Sequence, residues 1–540
     1  MRVAVIGGGA SAVTLIDALA RSAPGEGVTV SVFEPRPYPG PGRPYGGDAE
    51  GALINRPAEA MSVRHTDPGD FCTWLGGLSR AGGFPFVDPW ARFQPRWLFG
   101  RYLRRRLAAA TAQLAAAGST VVVRRATVED LYCEGGRLVT CTSDGQVQAH
   151  DHVVLCLGTP RPADVYGLAG RPGFVADPYP LSPSLPAGEP VTVLGSNLSA
   201  VDCAVALLRR GHGAPIRLVS RSGLLPSVRC VAAAIDPVQA GQLADAVRCT
   251  PSAALWSTVR RLLYEGLLAH GASPQEMALD LAVGEPPADR LARQLGRQDA
   301  ADCWRGALLP LLDPVGELLW QRLPLTTRQA FLRRHNTAVA TVLNPMPPAT
   351  AALLLRALRT GALEVHAGIT AIDPVPGGGF TVWSGEGKHR AGVVLNAVRA
   401  TSYDPAEPAG RLLGRLAARG LARIHPCGGV YVDFPTNRVL GPARGLYALG
   451  HPTAGDLYYA NAGSLLGISA RAERIVARIR PGPPPDPTAQ ARPGTATATA
   501  AGAQLGPAPG TAVGAQSGSA AGTAAGVAGS MTVMGGWSDD

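Results

Sequence analysis

Two short stretches of glycine and small residues have the spacing that lets a backbone wrap a phosphate group. The first is Gly7-x-Gly9-x-x-Ala12, which follows a β-branched run at residues 3–6 and precedes an apolar helical pattern. The first glycine permits a tight turn, the second lets the backbone approach a pyrophosphate, and the small third residue lets helix and strand pack closely. The N–H groups that open the helix then face the phosphates. The turn residues expected to contact a dinucleotide are Gly7, Gly9, Ala10, Ser11 and Ala12.

An acidic residue supports this interpretation of the first turn. Glu34 closes the next strand, "VTVSVFE", about 25 residues after Gly9, where a carboxylate accepts hydrogen bonds from ribose hydroxyls. The alternatives are a buried turn without a ligand and a secretory signal, but the charged region of such a signal would be a single arginine. The first turn therefore predicts a dinucleotide without a 2′-phosphate, such as FAD.

The second turn is a looser version of the first. Asn197 occupies the position of the middle glycine, and asparagine tolerates unusual backbone angles better than most residues. Arg221 ends the next strand, where a carboxylate would otherwise bind ribose, and arginine pairs well with a 2′-phosphate. The alternative for Arg221 is a solvated charge. This unit predicts an NADPH site, whose expected contacts are Gly195, Ser196, Asn197, Ser199 and Arg221.

Composition excludes several other classes of protein. The chain of 540 residues has a formal net charge of +10, but its longest basic block is the three arginines at 104–106, without the interleaved aromatics typical of nucleic-acid binding. The nine cysteines are scattered without a CxxC motif, which indicates reduced thiols in a cytoplasmic protein and no metal site. No apolar run reaches the ~18 residues that a membrane helix needs.

These patterns predict an α/β chain with two Rossmann-like dinucleotide-binding domains. Residues 1–165 and 391–480 are expected to form a discontinuous FAD-binding domain, and residues 188–390 an NADPH-binding domain. A helical insertion is expected at about 236–345. Residues 481–540, rich in Ala, Gly, Pro and Thr, are expected to be a disordered tail because they offer little surface to bury.

The segments "ALINRPAEAMSVRHTDPGDFCTWL" and "FQPRWLFGRYLRRRL" resemble a group of bacterial FAD/NAD(P)-binding proteins with "LLNxPAxxMS", "DxFxxWL" and "F-P-R-x-x-Y/F-G-x-Y-L" patterns. The architecture resembles that of class B flavin monooxygenases, which include microbial amino-acid N-hydroxylases. An actinobacterial branch of similar proteins oxidises aspartate to nitrosuccinate. The resemblance covers most of residues 1–480.

The resemblance implies an activity. In that class NADPH reduces the flavin, O₂ adds at its C4a carbon, and the hydroperoxide oxygenates a soft nucleophile such as an amine. The implied reactants are a small-molecule substrate and O₂, without nucleic acid or membrane, and the class often forms dimers or tetramers. The alternative is a flavin-dependent NAD(P)H oxidoreductase or dehydrogenase without oxygenation.

The resemblance also implies site residues. Asn55 and Met61 are expected near the isoalloxazine, although Asn55 can also be a turn-capping residue. Arg56 and Arg64 are hypothesised to bind a substrate carboxylate, since arginine suits that geometry; the alternative is surface charge or contact with a cofactor phosphate. Arg56 stands where a small apolar residue is commoner in the resembling proteins. This difference concerns the identity of the substrate rather than the cofactors.

The late segment "LYALGHPTAGDLYY" resembles the part of flavoproteins that brings a second helix to the flavin. Gly450 and Asp456 are accordingly expected near FAD. Asp456 either bonds a ribityl hydroxyl or caps the following helix. His451 is either a structural, hydrogen-bonded histidine or a proton relay.

Overall fold

Both strands that precede the glycine turns are apolar without alternation, as expected of strands buried on both faces of a parallel sheet. The computed structural model describes residues 1–22, 27–46, 51–80, 91–181 and 188–480. The predicted C-terminal tail lies outside the described residues. The strands are β1 (Arg2–Ile6), β2 (Thr29–Phe33), β3 (Thr120–Arg124), β4 (Val128–Glu134), β5 (Arg137–Thr142), β6 (Val147–His150), β7 (His152–Leu155), β8 (Phe174–Val175), β9 (Val191–Leu194), β10 (Ile216–Val219), β11 (Leu363–His366), β12 (Ala371–Pro374), β13 (Phe380–Ser384), β14 (Gly387–Ala391), β15 (Val393–Asn396) and β16 (Leu446–Ala448).

Helices follow both glycine turns and fill the region between residues 237 and 359. The α-helices are α1 (Ala10–Arg21), α2 (Asp70–Arg80), α3 (Arg96–Ala116), α4 (Leu198–Arg209), α5 (Pro237–Cys249), α6 (Ser252–Ala269), α7 (Pro274–Leu281), α8 (Pro287–Gly296), α9 (Trp304–Leu312), α10 (Gly316–Arg322), α11 (Leu325–Arg334), α12 (Asn336–Leu343), α13 (Pro348–Arg359), α14 (Pro408–Ala418), α15 (Ala454–Leu457), α16 (Tyr459–Ala462) and α17 (Leu465–Ile479). Short 3₁₀ helices span Ala58–Ala60 and His451–Thr453.

The first sheet has five parallel strands in the order β16-β7-β1-β2-β3. Helix α1 packs against α3 and α17 on one face, where the largest apolar core lies. On the other face, side chains of β4, β5 and α14 complete a second core with the strands. The first turn thus lies at the carboxyl edge of a sheet covered on both faces, which is where open α/β sheets bind ligands.

The second sheet repeats this plan. Its five parallel strands have the order β11-β10-β9-β15-β8. Helices α4 and α13 cover one face, and the antiparallel sheet β12-β13-β14 contributes to the core on the other. The predicted fold class, α/β with two Rossmann-like units and a helical insertion, is confirmed for the described residues.

Sheet membership moves the expected domain boundaries. Strand β15 pairs in parallel with β9 of the second sheet, although the sequence analysis assigned residues 391–480 to the first domain. Strand β8 also belongs to the second sheet, before the expected start at residue 188. We therefore propose that the second domain runs from about residue 170 to about residue 397.

The helical insertion is organised around a buried carboxylate. Asp280 is fully buried and accepts hydrogen bonds from Gln294 Nε2 at 2.7 Å and Trp304 Nε1 at 2.9 Å. It also pairs with Arg305 and, at 3.0 Å, with Arg293. Burial alone would raise the pKa of Asp280, but these partners lower it, so the carboxylate stays charged. Helices α7, α8 and α9 are joined through this one side chain.

One pair of cysteines departs from the sequence prediction. The structure joins Cys230 to Cys303 in a disulfide, with 6.8 Å between their Cα atoms. The expectation of reduced thiols throughout is wrong for this pair, because 73 residues of chain fold back to bring the two together. The free cysteines are Cys72, Cys133, Cys141, Cys156, Cys203, Cys249 and Cys427.

Among the residues that the structure describes, no helix has both the length and the apolar character required to cross a bilayer. In the same part of the chain, no three side chains of His, Cys, Asp or Glu are grouped so that they could hold a metal ion.

A buried ion pair joins the two Rossmann units. Arg96 at the start of α3 contacts Asp202 of α4 at 2.5 Å, and both side chains are about one-tenth exposed, at 11% and 8%. Tyr179 also donates to Asp202, and Arg96 donates to the carbonyl oxygen of Leu53 at 3.2 Å. This contact fixes the segment around residue 53 against the second domain.

We expect Arg96→Met to lower the free energy of unfolding by about 3–5 kcal/mol, because it leaves Asp202 buried without its charge partner. Thermal unfolding of the variant measures this loss. The matched control is Arg137→Met, which breaks an exposed pair with Asp151 and should cost less than about 1 kcal/mol. Equal losses of unfolding free energy in the two variants would contradict the importance assigned to the Arg96–Asp202 pair at the seam between the two units.

Candidate active site

The two glycines of the first turn have different structural roles. Gly7 has a φ of +102°, and a Cβ there would lie 2.2 Å from the carbonyl oxygen of Cys156, so no side chain fits. Gly9 has an ordinary φ of −83°, and the nearest atom to a Cβ there is Gly42 Cα at 3.5 Å. Gly7 is therefore required by the fold, whereas Gly9 keeps open the space beside the helix. Ala12 is buried and packs the helix onto the sheet, as predicted.

A cavity of about 450 Å³ opens at this turn. Its walls come from the turn, the end of β2, the loop at residues 41–45, the segment after β7 and the start of α17. The predicted residues that line it are Gly7, Gly9, Ala10, Ser11, Glu34 and Gly450. Sequence reasoning missed the loop at 41–45, although its run of Gly and Pro after Glu34 marks an irregular segment next to the site.

Glu34 holds the turn and also faces the cavity. Its Oε2 accepts a hydrogen bond from Gly8 N–H at 2.9 Å, and its Oε1 accepts one from Arg36 N–H at 3.0 Å. Each carboxylate oxygen has a second lone pair, so both remain able to accept a hydrogen bond from a ligand hydroxyl. The ribose role predicted for Glu34 is compatible with this geometry.

The segment around residue 450 packs against the first turn. Gly450 has a φ of +78°, and a Cβ there would lie 2.5 Å from Ser11 Oγ. The next residue, His451, also lines the cavity. Burial, and then the charges of Arg43 and Arg399, lower the pKa of His451 to about 4. The imidazole is therefore neutral near pH 7 and has a lone pair available.

The second turn reproduces the geometry of the first. Gly195 has a φ of +106°, and a Cβ there would lie 3.1 Å from the carbonyl oxygen of Ala397. Asn197 has φ and ψ of −88° and −174°, close to the −83° and −165° of Gly9. The turn forms with Asn197 as expected, but at ordinary backbone angles that do not require the tolerance of asparagine. Asn197 instead caps α4, since its side chain accepts from Leu198 N–H at 2.7 Å.

The other residues predicted for the second site divide into inner and outer ones. Ser196 is buried and bonds Leu224 O at 2.7 Å and Ser220 Oγ at 2.9 Å, so its side chain supports the turn rather than facing a ligand. Ser199 is half-buried in the first turn of α4, and Arg221 is exposed just after β10. Arg221 thus stands where the sequence predicted a partner for a 2′-phosphate.

Arg64, predicted to bind substrate, and Met61, predicted near the isoalloxazine, both have other contacts. Arg64 donates from Nε and Nη2 to the carboxylate of Asp17 at 3.0 and 2.8 Å, so its guanidinium is already bound to a carboxylate of the chain. Met61 is buried in the first core and is not among the described residues that line the cavity. Their expected contacts with substrate and isoalloxazine are therefore not supported by the structure.

Asn55 and Arg56 lie at the seam between the two domains. The carbonyl oxygen of Asn55 accepts a hydrogen bond from Arg229 Nε at 2.7 Å, and Arg56 Nη1 lies 3.8 Å from Asp313 Oδ2 of the insertion. Nothing in the sequence around residue 229 marks this arginine, because only the fold brings it to Asn55.

Asp456 has a role that neither sequence alternative predicted. Its Oδ2 accepts a hydrogen bond from Val432 N–H at 2.8 Å, and the N-cap of α15 is Thr453. The carboxylate also lies 3.7 Å from Arg328 and 3.6 Å from His425. Since Asp456 is not among the described residues lining the cavity, it stabilises the segment next to the site.

A second, smaller cavity of about 40 Å³ adjoins the first. Both cavities are lined by His451 and Tyr403. Its outer wall includes Trp320 and Leu332 of the insertion. The insertion therefore contributes side chains next to the main cavity.

Comparisons with known proteins agree with this architecture. Residues 4–160 match a family described as FAD-NAD(P)-binding, which confirms the predicted cofactor class for the segment around the first turn. No curated protein matches the chain by sequence.

Two solved structures share the fold at low identity. DfoA of Erwinia amylovora, the cadaverine monooxygenase of desferrioxamine biosynthesis bound to FAD, is 14% identical with a TM-score of 0.55, over 89% of this chain and 94% of its own. The ornithine N-hydroxylase KtzI of Kutzneria sp. 744, with reduced FAD, NADP⁺ and L-ornithine, is 16% identical with a TM-score of 0.52, over 88% and 98%. Likeness at this identity confirms the two-domain fold.

The two glycines provide a paired test. Gly7→Ala should destabilise the fold by more than about 1 kcal/mol, because alanine is strained at positive φ. Gly9→Ala should fold normally but weaken FAD binding about 10- to 100-fold, since an extra methyl in a packed contact costs about 1–3 kcal/mol. Thermal unfolding and FAD titration of deflavinated protein measure the two effects. Unchanged FAD affinity in Gly9→Ala would contradict the assigned phosphate contact.

Proposed function

We propose that this chain is an FAD- and NADPH-dependent monooxygenase that oxygenates the amine nitrogen of a small, polar, amino-acid-like substrate. The observation that carries the proposal is the repeated turn geometry, Gly7 with Gly9 and Gly195 with Asn197, at the carboxyl edges of two parallel sheets. Such turns bind dinucleotides. Two of them in one compact unit suit a flavin enzyme that is reduced by a nicotinamide cofactor.

The residues at the first turn fit FAD. The space kept open by Gly9 and the free N–H groups of Ala10 and Ser11 would hold the pyrophosphate, and Glu34 would accept hydrogen bonds from the ribose. Bound at these residues, FAD would supply the capacity to accept a hydride from NADPH and to pass electrons to O₂. The protein then has to bind, orient and shield the reactants.

Substrate class is proposed from the fold and from the resemblance of the "LINRPAEAMS" stretch. The neighbours DfoA and KtzI act on an amine and an amino acid according to their descriptions. Aspartate, oxidised to nitrosuccinate, is the first amino acid to test because the sequence resembles that branch. Asn55 and Arg56, at the domain seam, are the proposed substrate-facing residues.

The deciding experiment follows NADPH oxidation by the FAD-loaded protein against a panel of amino acids and diamines, with mass analysis of the products. We expect at least one amine to gain oxygen in step with NADPH consumption. Oxidation of substrate without oxygen gain would instead establish a flavin-dependent dehydrogenase. Peroxide formation in place of product with every amine would contradict the proposed oxygenation.

Arg221 provides the test of the second cofactor. Arg221→Ala removes the positive group expected to pair with the 2′-phosphate, so KM for NADPH should rise about tenfold while KM for NADH stays nearly constant. Steady-state kinetics with both cofactors measure the change in preference. Arg217→Ala, on β10 just before Arg221 but paired with Glu364, is the matched control. An equal rise for NADH and NADPH would remove Arg221 from phosphate recognition.

A further inference from the structure

Arg229 occupies a fixed position where three parts of the chain meet. Its backbone N–H donates to Met346 O at 2.9 Å, while Met346 N–H donates to Ser227 O at 2.8 Å. Its side chain crosses to the first domain, where Nε donates to Asn55 O at 2.7 Å. The guanidinium is therefore held in place by backbone on both sides of the seam.

Among the described residues, none accepts a hydrogen bond from the terminal amino groups of Arg229. In the described part of the chain, its only hydrogen-bond acceptor is the carbonyl of Asn55, reached through Nε. Its fork of Nη atoms, the part of arginine that binds a carboxylate or phosphate bidentately, is left without a partner there. A guanidinium held at one edge and open at the other is arranged to receive an anion.

Charge at this position is unbalanced. Arg56 lies beside Arg229 through their shared neighbour Asn55, and the nearby carboxylate of Asp313 is 3.8 Å from Arg56. Arg92 also repels Arg229, although Arg92 is itself paired with Glu59 at 3.3 Å. Burial, followed by the charges of Arg56 and Arg92, lowers the pKa of Arg229 to about 9 despite Asp313. A bound anion would offset this cost.

The basic pair, defined as Arg56 and Arg229, lies close to the cofactor cavity. Tyr45 lines that cavity. Burial raises the pKa of Tyr45, and the charges of Arg96 and Arg56 partly offset the rise, so Arg56 is within electrostatic range of the cavity wall. Asp313, between α9 and α10, brings the insertion to the same place. A ligand on the basic pair would therefore touch both domains and the insertion.

We infer that Arg229 and Arg56 bind a carboxylate of the substrate at the domain seam, which makes Arg229 a specificity-determining residue. This inference rests on the proposed function and narrows its substrate class to amines that carry a carboxylate. NADPH phosphate is the other source of the same chemistry. It is disfavoured because Arg221, which is exposed just after β10, and the second turn are the residues that we propose for the NADPH phosphates.

The test measures binding to the FAD-loaded protein without requiring turnover. The probes are succinate, L-ornithine and putrescine, the last being ornithine without its carboxylate. We expect Arg229→Met to weaken succinate and ornithine binding about 10- to 100-fold while leaving putrescine unchanged. Arg229→Lys keeps the charge but loses the fork, so its loss should be intermediate. Arg137→Met, whose partner is Asp151 and whose charge does not act on Arg229, is the matched control and should bind all three probes normally.

Further measurements distinguish a loss of carboxylate binding from a loss of folding or of activity. Flavin content and thermal unfolding show whether Arg229→Met folds, and Arg56→Met offers an independent variant at the same site. Unchanged carboxylate binding in both variants, or no carboxylate binding by the wild-type protein, would overturn the inference. A rise in KM for NADPH without any weakening of succinate and ornithine binding would also overturn the inference. If carboxylates bind through Arg229 but no amine is oxygenated, the site stands and the proposed activity fails.

Discussion

The architecture depends on a close contact between a glycine turn and the end of a neighbouring strand, made twice. A carbonyl oxygen lies beneath each turn, that of Cys156 beneath Gly7 and that of Ala397 beneath Gly195. Both glycines have φ above +100°, at +102° and +106°. Only a residue without a side chain satisfies both conditions, and the helix that follows must then start at the sheet edge. As a direct consequence, the N–H groups that open α1 and α4 lie at the edges of the two sheets.

The second requirement is that the two units face each other. The seam is fixed by the buried pair of Arg96 with Asp202 and by the bond from Arg229 to Asn55. The segment around residues 52–56 therefore belongs to the first domain by sequence yet packs on the second, as the burial of Ala52 in the second core shows.

Local patterns in the sequence were sufficient to find the turns, since each strand, turn and helix follow one another directly in the chain. The pairing of strands that are distant in the chain could not be predicted from the sequence. Strand β15 could join either sheet on its apolar composition, and only its register with β9 decides. The carboxylate partner of Arg64 and the hydrogen bond from Val432 to Asp456 are likewise products of the tertiary fold. Side-chain roles at the seam, above all that of Arg229, could not be predicted for the same reason.

We propose that the two turns bind FAD and NADPH so that NADPH reduces the flavin. The decisive measurement is flavin absorbance after anaerobic mixing of the FAD-loaded protein with NADPH. We expect the oxidised flavin to bleach, faster with NADPH than with NADH at equal concentration. A flavin that stays oxidised in the presence of excess NADPH, or a protein that cannot be loaded with FAD, would rule out this proposal.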